Sequence, residues 1–299
     1  MYIPSNMKRL SQFLQEEFSQ KIYRLSLSSG CTCPNRDGKI SYGGCTFCSE
    51  GGSGEFAAPF MSLDKQIEDA KKRIASKTGA DKYIAYFQSF TGTYDSADRL
   101  YKLYYEAITR DDIVALSIGT RPDCLDDDIL EMLGKLNTIK TVWIELGLQT
   151  VHEETALRIN RGYTLDVFEK AYRDLKNLGI TVIVHVIFGL PGESEEDMLE
   201  TARYLANLDP MLDGVKLQNL QILKGTEIGR QYIESPFYVM SLQEYAQLIA
   251  KCDKIFPEST VLHRMTGDGP RSLLIEPKWS LDKKRVLNTI NAYLDGRTV

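Results

Sequence analysis

The sequence predicts an α/β fold with a parallel β-sheet, because short apolar runs alternate with amphipathic helical stretches along most of the chain. The apolar runs, mostly rich in Val, Ile, Tyr and Phe, are residues 21–27, 82–88, 113–118, 141–148, 181–188 and 214–223. The predicted helices that alternate with them are residues 63–76, 96–109, 126–136, 164–178, 194–208 and 241–255. Six such units fit either an open doubly wound sheet or an incomplete barrel, and periodicity alone does not separate the two.

The ends of several predicted helices carry capping residues. Ser194 followed by Asp197 is a capping pair at the start of one helix, and Gly179 stands at the exit of another. A polar stretch at about residues 6–19 predicts a further helix before the first strand. Helices that connect successive strands in this way indicate βαβ units.

The chain contains no low-complexity linker, internal repeat or sharp change in composition. We therefore predict one main α/β domain at residues 21–260, preceded by an N-terminal helical extension at residues 1–20. A C-terminal extension at residues 261–299 is expected to pack on this domain. The content of 43% hydrophobic and 26% charged residues is that of an ordinary globular protein.

The sequence predicts a cytoplasmic protein without a membrane segment. No stretch offers eighteen uninterrupted apolar residues, and the N-terminus lacks the features of a signal peptide. Thiols stay reduced in the cytoplasm, so the six cysteines are interpreted as candidate metal ligands before disulfides. A net charge of −5 gives no global basic surface for nucleic acid, although it leaves a local one open.

Three of the cysteines lie directly after the first apolar run, in the arrangement Cys-x11-Cys-x2-Cys formed by Cys33, Cys45 and Cys48. A 4Fe-4S cluster held by three cysteines leaves one iron free for another ligand, whereas a structural zinc site has four closed ligands. Cys31 or one of the histidines could supply that fourth ligand. A noncatalytic zinc-binding interaction module therefore stays open beside the cluster.

The other polar motifs also fall just beyond predicted strand ends. Residues 90–93 follow the second run, Gln149 follows the fourth, and residues 189–192 follow the fifth. In β/α barrels the loops at the carboxyl ends of the strands build the active site. We therefore expect these motifs and the cysteine loop to converge on one face.

These motifs resemble those of the YtqA/YhcC group of radical S-adenosylmethionine (SAM) proteins, which are relatives of the elongator catalytic subunit. The resemblance extends along nearly the whole chain through CPNRDG, GGCTFC, YFQSFTGTY, IGTRPDCL, ELGLQT, NRGYT, FGLPGE, LKGTE, RMTGDGPR and PKWSLDKK. Radical SAM enzymes generally have a first cysteine interval of three residues, which this group lengthens to eleven, and Phe47 holds the aromatic position before the last cysteine. The resemblance implies a partial (β/α)6 TIM-like barrel.

The resemblance also implies the cofactors and their contacts. It implies a 4Fe-4S cluster on Cys33, Cys45 and Cys48, with SAM as the second cofactor. The implied cofactor-binding residues are Phe47, Ser89, Phe90, Thr91, Gln149, Arg161, His185 and Gly189. Gln149 and Arg161 are twelve residues apart, the interval of a pair that contacts the SAM ribose and carboxylate in relatives.

Two strand residues have an ambiguous role at this level. Strand alternation points His185 into the barrel if Val184 and Val186 face the helices, but a satisfied core histidine is almost equally consistent. Glu145 in the fourth run has the same ambiguity, because an inward carboxylate costs several kcal/mol unless it is paired.

The implied activity is the reductive cleavage of SAM at the cluster, which gives a 5′-deoxyadenosyl radical, with a reducing partner such as flavodoxin or ferredoxin. The implied substrate is tRNA, at the side chain of the wobble uridine, and the local basic cluster of Lys283, Lys284 and Arg285 is the candidate contact. A small molecule such as a porphyrin is the alternative substrate. We assign no acid–base residue to the first step, since the cofactors supply its chemistry.

Overall fold

The computed structural model describes residues 5–52, 60–75 and 79–297. Within these ranges, eight strands form one parallel sheet, in the order β1-β9-β7-β6-β5-β4-β3-β2. They are β1 (Lys8–Arg9), β2 (Tyr23–Leu27), β3 (Tyr83–Phe87), β4 (Ile113–Thr120), β5 (Val142–Gln149), β6 (Thr181–Phe188), β7 (Gly214–Asn219) and β9 (Val261–Arg264). A separate antiparallel pair joins β8 (Ile222–Leu223) to β10 (Leu274–Glu276). The parallel sheet curls into a half-barrel, which confirms the predicted fold class.

Helices connect the strands and cover the outer face of the sheet. In the described residues they are α1 (Leu10–Phe18), α2 (Leu63–Ala75), α3 (Ala97–Ile108), α4 (Asp127–Asn137), α5 (Glu153–Arg158), α6 (Leu165–Asn177), α7 (Glu195–Ala206), α8 (Glu227–Glu234), α9 (Leu242–Ile255) and α10 (Lys283–Leu294). The predicted end of the second helix at residue 76 lies outside the described residues. None of the described helices is long and apolar enough to cross a membrane.

The last predicted strand is divided. The run at residues 214–223 forms β7 as far as Asn219, after which β8 belongs to the small antiparallel pair. The side chain of Asn219 explains the division, because its Oδ1 accepts hydrogen bonds from Gly267 N–H at 2.8 Å and from Thr266 Oγ1 at 3.1 Å. These bonds bring the C-terminal segment across the end of the strand.

Both predicted extensions contribute a strand to the sheet. β9 begins at Val261, the first residue of the predicted C-terminal extension, and it pairs in parallel with β7. β1 comes from the N-terminal extension and pairs with β9 at the edge. Helix α10 then packs on α9 outside the sheet.

Inward-facing side chains form layers along the barrel axis, since every second residue of a strand points inward. The lowest layer is apolar and packs against α1 at the amino ends of the strands. It consists of Ile84, Ala115, Trp143 and Ile183, and Leu14 of α1 packs against it. Two residues further along each strand lies a polar layer that includes Tyr86, Ser117, Glu145 and His185. This polar layer forms the floor of the candidate site.

Candidate active site

A cavity of about 130 Å³ opens at the carboxyl ends of the strands. Its lining comes from the loops after β2, β3 and β4, from inward-facing residues of β5 and β6, and from Tyr163 between α5 and α6. The sequence-predicted residues that line it are Cys33, Cys45, Phe47, Cys48, Phe90, Thr91, Gln149 and His185. The structure therefore brings most of the predicted site to one face, whereas Ser89, Arg161 and Gly189 lie outside the lining described for this cavity.

Hydrogen bonds within the cysteine loop hold its shape. The backbone N–H of Cys48 donates to Cys45 O at 2.9 Å, which closes a turn between these two residues. Asn35 is fully buried, and its Nδ2 donates to Asn160 O at 2.6 Å while lying 3.6 Å from Cys45 Sγ. The N–H of Gly44 donates to Asn35 O at 2.8 Å. The long first cysteine interval is thus an ordered loop anchored on the segment between α5 and α6.

The donor set fits an iron–sulfur cluster better than a single zinc ion. Cys33, Cys45 and Cys48 line the same cavity, yet their Sγ atoms are not all within 4.8 Å of one another. Zinc with Zn–S bonds of about 2.3 Å in a tetrahedron would hold its thiolates about 3.8 Å apart. A wider triangle suits a cubic cluster bound through three of its irons, with the fourth iron open.

Cys31 does not join the other three cysteines. It is buried, and its Sγ lies 3.1 Å from Arg99 Nη2 and 3.9 Å from Gly92 O. Burial, assisted by the neighbouring Cys48 thiol, also raises the pKa of the Cys45 thiol, to about 12. A thiolate at Cys45 therefore needs the positive charge of bound metal ions.

The loop after β3 forms one wall of the cavity. Phe90 has a φ of 56°, and its N–H donates to Gly52 O at 2.9 Å, while the N–H of Thr91 donates to Thr32 O at 3.2 Å. A Cβ on Gly52 would lie 2.3 Å from the Phe90 ring, so only glycine fits there. These contacts join the wall to the cysteine loop, and Ser89 is buried behind them.

Gln149 ends β5 in a second left-handed conformation, with a φ of 67°. The pairing of β5 with β6 shifts between Gly147 and Gln149, which marks a local bulge. Tyr163 donates its hydroxyl to Gln149 Oε1 at 3.0 Å. Left-handed backbone at non-glycine residues is costly and is concentrated at functional sites, so Phe90 and Gln149 are both positioned by their surroundings.

Arg161 is fully buried beside the end of β5, and its guanidinium is hydrogen-bonded to the protein. Its Nη1 donates to Leu148 O at 3.1 Å and to Thr150 O at 2.7 Å, and its Nε donates to Tyr163 O at 2.9 Å. Its Nη2 faces the Glu153 carboxylate at 3.3 Å. This placement favours an anchoring role for Arg161, since direct contact with SAM would require breaking these bonds.

Replacing Arg161 with Lys tests the two roles. We expect the free energy of unfolding to fall by about 2–4 kcal/mol, because a lysine leaves some of the buried carbonyl acceptors unpaired. SAM affinity at a temperature where the variant is folded should change little. Denaturant titration and SAM binding measure the two quantities, and Arg173→Lys on the exposed face of α6 is the matched control. Unchanged stability with weaker SAM binding would support direct contact instead.

Gly189, like Phe90 and Gln149, has a left-handed backbone, with a φ of 84°. It lies against a small neighbouring cavity, where a Cβ would approach Met240 Cε at 3.0 Å, and its N–H donates to Met198 Sδ at 3.1 Å. The FGLPGE turn therefore packs beside the site without lining the cysteine cavity.

Arg121 is a lining residue to which the sequence analysis assigned no role. It is buried, pairs with the Asp123 carboxylate at 2.7 Å, and donates to Arg161 O at 2.9 Å. Its guanidinium lies 4.9 Å from the centroid of the Tyr163 ring. Arg121 belongs to the motif IGTRPDCL and Tyr163 to NRGYT. Both motifs carry the family resemblance, so the resemblance could have indicated these two residues as part of the site.

A buried ion pair forms the floor of the cavity. Glu145 is fully buried and pairs with Lys216 Nζ, and it also accepts hydrogen bonds from Tyr86 Oη at 2.7 Å and Ser117 Oγ at 3.1 Å. Burial would raise the pKa of Glu145, but Lys216 and Arg24 hold it well below its usual range. The inward carboxylate is therefore paired, which resolves the ambiguity left by the sequence.

His185 links this floor to the cavity. Its Nε2 lies 2.9 Å from Glu145 Oε2, while Val184 and Val186 are buried in the outer core as alternation predicts. Burial and the nearby Lys216 lower the pKa of His185 to about 4, so the imidazole is neutral at physiological pH. Since the carboxylate only accepts, Nε2 carries the proton and Nδ1 remains an acceptor.

Comparison with known proteins agrees with this geometry. The Radical SAM superfamily model matches residues 29–205, and the Radical_SAM C-terminal domain model matches residues 212–295. The chain is 43% identical over 289 residues to the uncharacterized protein YtqA of Bacillus subtilis (strain 168), covering 96% of this chain and 89% of YtqA.

Two further relatives come from the archaeon Methanocaldococcus infernus. Its tRNA uridine(34) acetyltransferase is 31% identical over 165 residues, which cover 54% of this chain and 30% of that protein. The solved structure of its Elp3, lacking N-terminal residues, superposes with a TM-score of 0.68 at 19% identity, covering 92% of this chain and 63% of that chain. The latter comparison shows a shared fold.

These matches settle the protein class that the cysteine pattern had left open. The noncatalytic zinc-binding module does not agree with a family match over residues 29–205, and the expected 4Fe-4S cluster and SAM are the cofactors of the matched family. The chain belongs to the radical SAM superfamily of enzymes.

Proposed function

We propose that the chain is a radical SAM enzyme that modifies the side chain of the wobble uridine of tRNA. The observation that supports this substrate is an alignment with a tRNA uridine(34) acetyltransferase, which covers 54% of this chain at 31% identity. The chain spans only 30% of that relative, so acetyl transfer is not part of the proposal. We further propose that the enzyme works in the cytoplasm.

In this proposal Cys33, Cys45 and Cys48 hold the cluster. When bound, the cluster and SAM supply a one-electron cleavage that yields a 5′-deoxyadenosyl radical. Superfamily members need a reductant, for which we propose flavodoxin or ferredoxin. The chain itself orients the cofactors through the walls at Phe90 and Gln149, which also limit access of water.

The floor and walls supply a few fixed polar groups. His185 offers a neutral acceptor for a hydroxyl group of SAM, such as those of its ribose. Arg36 and Arg121 both line the cavity and give it positive potential, which suits the SAM carboxylate. Each guanidinium is already fixed by hydrogen bonds, Arg36 to Cys48 O at 3.1 Å and Arg121 to Asp123, so little side-chain entropy is lost on binding.

The proposed tRNA contact lies on α10. Lys284 and Arg285 line a surface groove with Arg9 and Arg297, and Lys283 pairs with Asp268 at 2.6 Å. Asp282 and Asp295 also line the groove, so its four cations and two carboxylates leave a net charge of +2. A local basic groove attracts phosphates even though the whole chain is acidic. The groove therefore offers a place for the tRNA backbone outside the barrel.

Replacing Lys284 and Arg285 together with Ala should make the salt dependence of tRNA binding shallower. Removing a cation that neutralises one phosphate lowers the slope of log affinity against log salt by about 0.7–0.9, so the slope of the double variant should fall by about one to two units. Filter binding or fluorescence anisotropy over a salt series measures this slope. The matched control is Lys170→Ala with Arg173→Ala on the exposed face of α6. An equal slope in both double variants would place the RNA elsewhere.

The substrate is tested by mass spectrometry of tRNA from a deletion strain. We expect an altered wobble-uridine side chain in the deletion strain, restored by the wild-type chain and not by a Cys45→Ala variant. Unchanged modifications in the deletion strain would refute the tRNA proposal. A small-molecule substrate would then become the better hypothesis.

A further inference from the structure

A second cavity, of about 150 Å³, lies beside the first, between the end of β7 and the residues at the end of β9 and after it. The two cavities share Phe47, Gln88, Gln149 and His185 as lining residues. A molecule in the second cavity would therefore lie directly beside whatever occupies the first. The motif RMTGDGPR supplies its far wall through Arg264, Gly267 and Asp268, and the cofactor assignment above gives this motif no role.

The far wall is built for close approach. Asn219 fixes Gly267 through the hydrogen bonds that end β7, and a Cβ on Gly267 would lie 2.6 Å from Asn219 O. The same Cβ would lie 3.1 Å from the Gln221 side chain. Only glycine at position 267 leaves room for the Gln221 side chain to lie against this wall.

Two polar atoms at this cavity lack a hydrogen-bond partner. Among the described residues, Ser49 Oγ and Gln221 Nε2 are buried and make no hydrogen bond, and both residues line the second cavity. Ser49 is 6% exposed, and the other end of the Gln221 amide contacts Ser280 Oγ at 3.3 Å. Burying a polar group without a partner is unfavourable, so a ligand that forms hydrogen bonds with these two atoms gains binding free energy.

The rest of the lining is largely neutral. Gln88, Gln149 and Gln218 add three side-chain amides, and the charged lining residues are Arg264 and Asp268, which are of opposite sign. Arg264 lies 3.4 Å from Gln218 Oε1, and Asp268 is paired with Lys283. A ligand with several carboxylates, such as a porphyrin precursor, would find little compensating charge here.

We propose that the second cavity binds a neutral, planar heterocycle with an amide-like edge, a pyrimidine base, and that Ser49 and Gln221 recognise that edge. This inference rests on the proposed function, because the base would be the tRNA uridine. The Nε2 donor of Gln221 pairs with a uracil carbonyl oxygen, whereas the amino group of cytosine would oppose it. Phe47 offers an aromatic side chain for stacking at the boundary between the two cavities.

The test compares two anticodon stem-loop RNAs that differ only in uridine or cytidine at the wobble position. Wild-type protein loaded with its cluster should bind the uridine RNA more tightly. Gln221→Leu and Ser49→Ala should each reduce this preference by roughly three- to tenfold. Gln231→Leu, on the exposed face of α8, is the matched control and should keep the wild-type preference. Iron content and the salt slope verify that the variants are folded and still contact the RNA backbone.

The outcomes separate the two proposals. If the wild type prefers the uridine RNA and the pocket variants keep that preference with full iron content, the pocket assignment is wrong and the tRNA proposal stands. If Gln221→Leu and Ser49→Ala also lose iron, Gln221→Glu is tested in their place. A Gln221→Glu protein that has full iron content and keeps the wild-type preference for the uridine RNA then overturns the pocket assignment. If the wild type binds neither RNA, both proposals fail.

Discussion

Replacing any one of Cys33, Cys45 and Cys48 with Ala should remove the visible absorbance of the cluster and abolish SAM cleavage. Two thiolates on one loop cannot hold a cubic cluster in place of three, and no fourth cysteine is among the described residues that line the cavity. Anaerobic reconstitution followed by iron and sulfide analysis measures the first effect. Chromatography of 5′-deoxyadenosine measures the second.

Cys31→Ala is the matched control, because Cys31 lies in the same loop with its thiol against Arg99. This variant should keep both the cluster and SAM cleavage. Loss of the cluster in a folded Cys31→Ala protein would contradict the assignment of three ligands. Retention of a full cluster in any of the other three variants would contradict it as well.

Replacing Lys216 with Met should lower the free energy of unfolding by about 3–5 kcal/mol. The change leaves the Glu145 carboxylate without its closest cation at the fully buried floor of the cavity. Arg24, 3.6 Å from Glu145, compensates only in part. Denaturant titration of the protein without its cluster measures the decrease.

The double variant Lys216→Met with Glu145→Gln should recover much of this stability, since no unpaired charge is then buried. The matched control is Lys135→Met, which removes an exposed partner of Glu131 on α4 and should cost less than about 1 kcal/mol. A decrease of less than about 1 kcal/mol for Lys216→Met would mean that the pair is not a stabilising unit. If the double variant does not recover stability, the lower free energy of unfolding of Lys216→Met comes from altered packing and not from the unpaired Glu145 charge.

The fold was largely predictable because its signals are local. The run at residues 181–188 is apolar apart from Thr181 and His185, and β6 spans the same residues, since strands covered on both faces have such near-continuous apolar runs. The end of β7 was not predictable in this way. It depends on hydrogen bonds that Thr266 and Gly267, far along the chain, donate to Asn219 Oδ1, which no local pattern encodes.

The candidate site was predictable where its residues are neighbours in sequence or follow strand ends. The three cysteines share one loop, and Phe90 and Gln149 stand at strand ends, so topology alone brings them together. Arg161 differs, because its interval from Gln149 does not specify which way its guanidinium points. The pairing of Lys216 with Glu145 depends on which residues of two separate strands face inward at the same level.

We propose that Cys33, Cys45 and Cys48 hold a 4Fe-4S cluster whose fourth iron, which no cysteine binds, would bind SAM. Electron paramagnetic resonance of the reduced protein, recorded with and without SAM, is the decisive measurement. We predict a 4Fe-4S signal whose shape changes on addition of SAM, because SAM becomes a ligand of the open iron. A signal that SAM leaves unchanged, in protein with a full complement of iron and sulfide, would refute the open-iron assignment.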